Sequence, residues 1–353
     1  MQINKPIGTA IVGFGGMGAW HGKKIVDMPE ICLVGAYDID PAKAEAAEAA
    51  GLHAYQSFEE LLNDPKVELV TVATPNHVHR DLCIRAMEAG KHVICEKPVA
   101  LSSQELQDMI DTANRCGVIF TVHQNRRWDE DFLVIKKVWD DNTIGNIFRI
   151  ESRVHGSRGI PGDWRNQKQY GGGMVLDWGV HLLDQILMMV PKPIESVYAQ
   201  LSYVTNEDCD DGFTAQIKFR NGPDVEVQVG TSNFKSLPRW YVLGENGTAV
   251  IEKFRSTGYA VMVLDWENRD AVPVATAAGL TKTMAPRTSE TIKQIDLPDI
   301  DSDVRDFYRN MYDVIRNGAT QIVTHQQVMR VMKLMEAIFE SGRTNTVIKN
   351  FED

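Results

Sequence analysis

The glycine spacing in TAIVGFGGMGAW constrains this 353-residue chain more than any other feature. Gly13, Gly15 and Gly18 follow a run of β-favouring residues and open an apolar-periodic segment, so the stretch reads as G-x-G-x-x-G turning from strand into helix. Such a turn lets a ligand approach the backbone closely, and a helix N-terminus presents unpaired N–H groups and positive potential to a pyrophosphate. Taken alone, the pattern fits a purely structural turn equally well. Asp38 changes the balance: it stands 20 residues beyond Gly18, at the end of the next strand-like run, where a carboxylate accepts bonds from a ribose hydroxyl. A carboxylate there also repels a 2′-phosphate, so NAD is expected in preference to NADP. A competing use for Asp38, or for Asp40, is to cap the helix opening at Pro41.

The first 125 residues alternate strand and helix patterns in the rhythm of a parallel sheet covered on both faces. Strands are predicted at 8–12, 31–37, 67–73, 92–95 and 118–122, and helices at 17–27, 41–50, 77–89 and 103–115. Beyond a polar helix at 129–140 the texture changes to longer alternating strands with hairpin signals at NGP and ENG, closed by helices at 303–317 and 325–340. The fold class is therefore α/β. We expect a dinucleotide-binding Rossmann domain over 1–125 and an α+β domain with a mainly antiparallel sheet over 126–353.

Three further stretches carry candidate chemistry. VATPNHVHRDL starts a helix at the carboxyl edge of the first sheet, where ligands of open α/β sheets sit. Asn76 reads equally as an N-cap, and His77 and His79 lack the neighbouring ligands a metal site requires, so no metal is expected. HVICEKPVALS ends a strand with Glu96, Lys97 and Pro98, and the proline biases Lys97 toward an extended backbone. In GGGMVLDWGVHLLD, Asp177, His181 and Asp184 interrupt an apolar helix within a stripe about 60° wide at α-helical spacing. Each must be hydrogen-bonded or face a wet cavity, since burying it alone costs roughly 2–7 kcal/mol. Asp184 is assigned a structural bond.

Composition narrows the partners. A formal charge of −11 and a pI near 5.4, with no basic cluster, argue against nucleic acid. No stretch approaches 18 uninterrupted apolar residues, the N-terminus lacks a signal-peptide pattern, and the five cysteines show no CxxC spacing. A cytoplasmic protein with reduced thiols and a small-molecule partner is expected.

The glycine loop, CEKPVA and GGGMVLDWGVHLLD, in this order, resemble the Gfo/Idh/MocA oxidoreductase family, and TVHQNRRWDEDF resembles its inositol dehydrogenase branch. The resemblance implies a catalytic lysine at Lys97 with Asp177 and His181 as its acid–base partners. It also implies an open sheet used for oligomer contacts, and hence a homo-oligomer, a dimer or tetramer. Cofactor contacts are then expected from Gly13, Phe14, Gly15, Gly16, Met17, Gly18, Asp38, Thr74, Pro75, Asn76, His79, Glu96, Lys97, Gln124, Trp164 and Arg165. Substrate contacts are expected from Lys97, Arg127, Trp128, His155, Asp163, Asp177 and His181, several of them in the polar loop SRVHGSRGIPGDWRNQKQYGGG, with Arg153 and Arg158 as further candidates. The implied reaction is NAD-dependent oxidation of a ring secondary hydroxyl on a polyol, sugar or glycoside. Redox-assisted glycoside cleavage with retained NAD, and a non-catalytic NAD-responsive regulator, are the competing readings.

Overall fold

The computed structural model describes residues 5–254, 258–268 and 272–349. Strand β1 (Ile7–Val12) is buried at every position, as a strand covered on both faces must be. It leads through the glycine loop into α1 (Gly16–Ile25), followed by β2 (Ile31–Tyr37), α2 (Pro41–Ala49), β3 (His53–Ala54), α3 (Phe58–Asn63), β4 (Leu69–Val72), α4 (His79–Glu88), β5 (His92–Cys95), α5 (Ser103–Cys116) and β6 (Phe120–Val122). These six strands are all parallel and lie in the order β3-β2-β1-β4-β5-β6. The order reverses between β1 and β4, which places a crevice at their carboxyl ends.

The chain continues through α6 (Glu130–Asp140), β7 (Ile147–His155), α7 (Val180–Met189), β8 (Ile194–Ser202), β9 (Gly212–Phe219), β10 (Asp224–Gly230), β11 (Trp240–Gly244), β12 (Gly247–Ile251), β13 (Tyr259–Val263), β14 (Val274–Thr276), β15 (Gly279–Thr281), β16 (Ile292–Asp296), α8 (Arg305–Asn317), α9 (His325–Thr344) and β17 (Ile348–Lys349). Nine of these strands form a second sheet, antiparallel except where β10 runs parallel to β7, and β14 pairs with β15 alone. No helix among the described residues is long and apolar enough to cross a membrane. The five cysteines are unpaired.

Three departures from the sequence reading matter. β3 and α3 escaped notice because two and six residues are too short to show a period, although Ser57 caps α3 by accepting the Glu60 N–H. The helix expected from residue 77 begins at His79, after a tight turn at Asn76–Val78. The apolar helix starts as a π-helical turn, Val175–Gly179, before settling into α7. A π turn is wider than an α turn, so the 100° spacing used to align Asp177 with His181 does not hold across it.

Candidate active site

The glycine loop is built as its spacing requires. Gly13 has φ +87°, and a Cβ there would lie 2.7 Å from the Ala73 carbonyl oxygen; at Gly18 a Cβ would lie 1.9 Å from the oxygen of Gly13. Only glycine allows helix and strand to approach so closely. α1 starts after Gly15 with no side-chain cap, leaving its first N–H groups for an anion, and a Cβ on Gly15 or Gly16 would point into open space. Asp38 reaches back to this loop and accepts the Phe14 N–H at 2.6 Å, while the cap of α2 is Asp40, whose Oδ1 accepts from Ala42. The Phe14 side chain is buried with Ile11, Ala36 and Ala47, so only its backbone faces the loop.

Lys97 and Asp177 meet at the carboxyl end of β5. Nζ of Lys97 donates to the Asp177 carbonyl oxygen at 3.0 Å and to its Oδ1 at 3.1 Å, and Nε of Arg165 stands 3.6 Å from the same Oδ1. Burial pushes the Asp177 carboxyl up, but the Lys97 and Arg165 charges outweigh it and hold the group below its ordinary value. Among the described residues no hydrogen bond joins Asp177 to His181. The wide turn thus gives Asp177 to the lysine and arginine instead of to the imidazole. His181 is buried, its Nδ1 has no partner, and burial, then the charges of Lys97 and Arg126, hold its pKa well below the usual histidine value.

Around these groups lie other buried polar atoms without partners: Oγ1 of Thr74 beyond β4, and Nε2 of His123, Oε1 of Gln124, Oδ1 of Asn125 and Nε of Arg126 beyond β6. An unsatisfied buried group costs about 1–3 kcal/mol, so a run of them at adjacent strand ends marks where a polar ligand completes the bonding. Together with the uncapped start of α1, these atoms fit a nicotinamide dinucleotide lying along the carboxyl edge from β1 to β6. Trp164 and Arg165 border the edge, Arg165 stacking on Trp164 and pairing with Asp163, whose carboxylate also accepts the Arg165 N–H. Arg126 stacks over Trp178, its ring 4.2 Å away, while Trp128 packs edge-on against Phe307.

Other candidates are committed elsewhere. Both ring nitrogens of His79 lie 2.9 Å from carbonyl oxygens, Nδ1 from that of Pro98 and Nε2 from that of Thr74, and its ring N–H donates to one of them, so this residue is wedged between the loop before Pro75 and the Lys97–Pro98 turn. Glu96 is buried with both oxygens engaged, by His21, His123 and the Lys97 N–H, and offers nothing to a cofactor directly. Asn76 donates to the Gly171 oxygen at 2.8 Å and fastens the polar loop to the sheet edge. Arg127 is buried in a bidentate pair with Asp184 and does not reach the cleft. His155 belongs to β7, not to a loop: alternation turns Ile150 and Ser152 to the buried face and Arg153 and His155 to the other, where His155 bonds Gln228.

One residue the sequence reading passed over, Asp210, anchors the π turn. Its Oδ2 accepts the Val175 N–H at 2.8 Å and its carbonyl oxygen accepts that of Met174 at 3.0 Å. Burial pushes its carboxyl up to about 7, against 3.8 in the unfolded chain. A raised folded-state pKa stabilises fully below the unfolded value and loses that contribution as pH climbs through the folded one. Urea denaturation of Asp210→Asn, which cannot ionise, should therefore gain on the natural protein between pH 5 and 8, by up to about 3 kcal/mol. Equal differences at both pH values would contradict this.

A six-stranded parallel sheet with an anion-binding glycine loop, a carboxylate at the second strand and an ammonium–carboxylate–imidazole cleft define a class: an NAD(P)-binding oxidoreductase. Residues 7–124 match the family model described as an oxidoreductase family with an NAD-binding Rossmann fold, and residues 132–250 match the GFO/IDH/MocA C-terminal domain. The chain belongs to the GFO/IDH/MocA oxidoreductase family. A crystal structure of an NAD-binding protein from Listeria innocua is 46% identical over 98% of this chain and 100% of its own, with a TM-score of 0.95. A scyllo-inositol 2-dehydrogenase (NADP(+)) from Bacillus subtilis is 26% identical over 97% of this chain and 95% of its own. A myo-inositol 2-dehydrogenase from Thermotoga maritima is 28% identical over 64% of each.

Proposed function

We propose that this oxidoreductase oxidises a ring secondary hydroxyl of a cyclic polyol, sugar or glycoside with NAD. The observation that carries the reading is the Lys97–Asp177 pair together with His181, a buried imidazole kept neutral whose Nδ1 has no hydrogen-bond partner. A neutral imidazole is the form that accepts a hydroxyl proton. An ammonium has three donors; two of those on Lys97 go to Asp177, and the third is left for the substrate oxygen, where it stabilises developing alkoxide charge. Asp177 holds the ammonium in place. The loop from Gly13 to Gly18 and the start of α1 hold the pyrophosphate, Asp38 the adenosine ribose, and Thr74, Pro75, Gln124, Trp164 and Arg165 border the nicotinamide. Bound oxidised dinucleotide supplies the hydride acceptor.

On this reading residues 1–125 bind the cofactor, and residues 126–353 shape the substrate site and pair with a second copy through the outer face of the second sheet. The inositol dehydrogenase relatives, and the hydroxyl-binding groups at the cleft, support a polyol. The test is an absorbance screen for reduced cofactor with inositols, aldoses and aryl glucosides, run with NAD and NADP in parallel. Turnover is expected with at least one ring polyol or glycoside, and kcat/KM about tenfold or more higher with NAD, since Asp38 opposes a 2′-phosphate by the order of 1.4 kcal/mol. Stoichiometric dinucleotide binding without reduction of either cofactor across the panel would overturn the proposal.

A further inference from the structure

A catalytic imidazole is commonly oriented through its second nitrogen, which a carboxylate or a backbone carbonyl holds in one tautomer. His181 has no such support. Its Nδ1 is buried without a partner, and among the described residues its side chain makes no hydrogen bond to the protein. What the ring meets is Trp178, three residues earlier in the π turn. The ring centroids are 5.8 Å apart and the planes stand at 68°, an edge-to-face arrangement. Rings attract in this geometry because the positive edge of one meets the negative face of the other.

Trp178 is itself fixed from outside. The Arg126 guanidinium lies 4.2 Å from its ring centre, and the Phe254 ring stands 5.9 Å away, tilted by 40°. Phe254 in turn meets two cations, Arg126 at 5.4 Å and Arg239 at 5.3 Å. A guanidinium over an aromatic face adds electrostatic attraction to packing. Both arginines are anchored. Nη1 of Arg126 donates to Asp129 at 2.9 Å, and the Arg126 carbonyl oxygen accepts from Gln185 on α7 at 2.7 Å. Arg239 is buried and donates to Ser152 at 2.6 Å and to Gln185 at 2.8 Å. The stack thus runs from Arg239 through Phe254 and Arg126 to Trp178, and ends on the imidazole.

We propose that Trp178 is a positioning residue for the oxidation: clamped by Arg126 and Phe254, its ring holds the His181 imidazole in the orientation that accepts the substrate proton and keeps water from it. This rests on the reading of His181 as the base. The indole does by ring contact what a carboxylate does elsewhere by hydrogen bonding. Exclusion of water has an electrostatic consequence. Burial is the largest cause of the low His181 pKa, followed by the charges of Lys97 at the end of β5 and Arg126 beyond β6; Glu96 opposes them, and His123 adds to the lowering. Removing the indole admits water while those charges stay in place, so the His181 pKa should rise toward its ordinary value.

The test compares Trp178→Leu with Trp178→Phe in the full chain, using the substrate found by the polyol and glycoside screen. In Trp178→Leu, which fills space but presents no ring, kcat should fall about tenfold and the acid limb of its pH profile should move upward. KM, and dinucleotide affinity measured by calorimetry, should stay within about threefold. ¹⁵N-histidine NMR on the substrate-free protein should show the same upward titration, the His181 signal being assigned by its loss in His181→Ala. Trp178→Phe keeps an aromatic ring and should restore kcat to within about threefold and return both titrations. Phe254→Ala, at a ring already 39% exposed, serves where the leucine variant does not fold and should shift both in the same direction by less. A folded Trp178→Leu with kcat or the His181 titration unmoved, or an equal loss in Trp178→Phe, overturns the inference while leaving His181 as base. Full turnover in His181→Ala sinks the underlying reading instead.

Discussion

In His181→Ala, kcat should fall by about 10²–10⁴ and in Lys97→Ala by about 10²–10³, with dinucleotide affinity changed by less than about threefold in both. The two losses have different causes. His181 is buried beside Lys97 and Arg126, so its neutral form dominates across the physiological range, and its removal takes away the proton acceptor. Lys97 holds Asp177 through two donors, so its removal takes away charge stabilisation at the substrate oxygen and also leaves Asp177 with only Arg165, 3.6 Å away, to balance a buried carboxylate. The Asp177 carboxyl should then rise toward or above its ordinary value, because the largest charge opposing its desolvation is gone. Stopped-flow measurement of the reduced-cofactor signal, with dinucleotide binding followed by tryptophan quenching, separates chemistry from binding. Full turnover in either variant, with the substrate found by the screen, would defeat the assignment.

The parts of the site that were legible in the sequence are those whose geometry is local. The loop from Gly13 to Gly18 and the carboxylate at Asp38 follow from strand and helix spacing within one βαβ unit, and Lys97 is placed by the strand end and proline beside it. What spacing could not show is which partner each polar group finds across the fold. Glu96 meets His21 and His123, which are 75 and 27 positions away, and His79 is closed off by two carbonyl oxygens that no period encodes. His155 was misplaced because its strand ends in a polar, glycine-flanked stretch that reads as loop, although the pleat carries it to the outer face. Asp177 lay on the right segment, but a π turn is invisible to an argument that assumes 100° per residue. The carboxylate of Asp210, whose bond to Val175 anchors that turn, comes from 35 residues later.

Arg127 provides the second large effect, and it is one of stability. Its guanidinium donates to both oxygens of Asp184, at 2.7 and 2.6 Å, to the Ile322 carbonyl oxygen at 3.1 Å and to Oε1 of Gln327 at 2.8 Å. One side chain thus ties the segment after β6 to α7 and to the start of α9. Arg127→Ala leaves the Asp184 carboxylate buried on α7 without its countercharge and should destabilise the unit containing α7 by about 3–5 kcal/mol. Arg127→Met combined with Asp184→Leu removes both charges and fills the space, so it should cost much less than the single change, because desolvation of the pair is no longer required. Urea denaturation followed by tryptophan fluorescence distinguishes the two, Trp178 lying one turn before His181 on the same segment. If Arg127→Ala unfolds within about 1 kcal/mol of the natural protein, the pair is an ordinary surface-strength contact, and the clamp that holds the His181 helix against the sheet edge must be sought in the apolar packing of α7 alone.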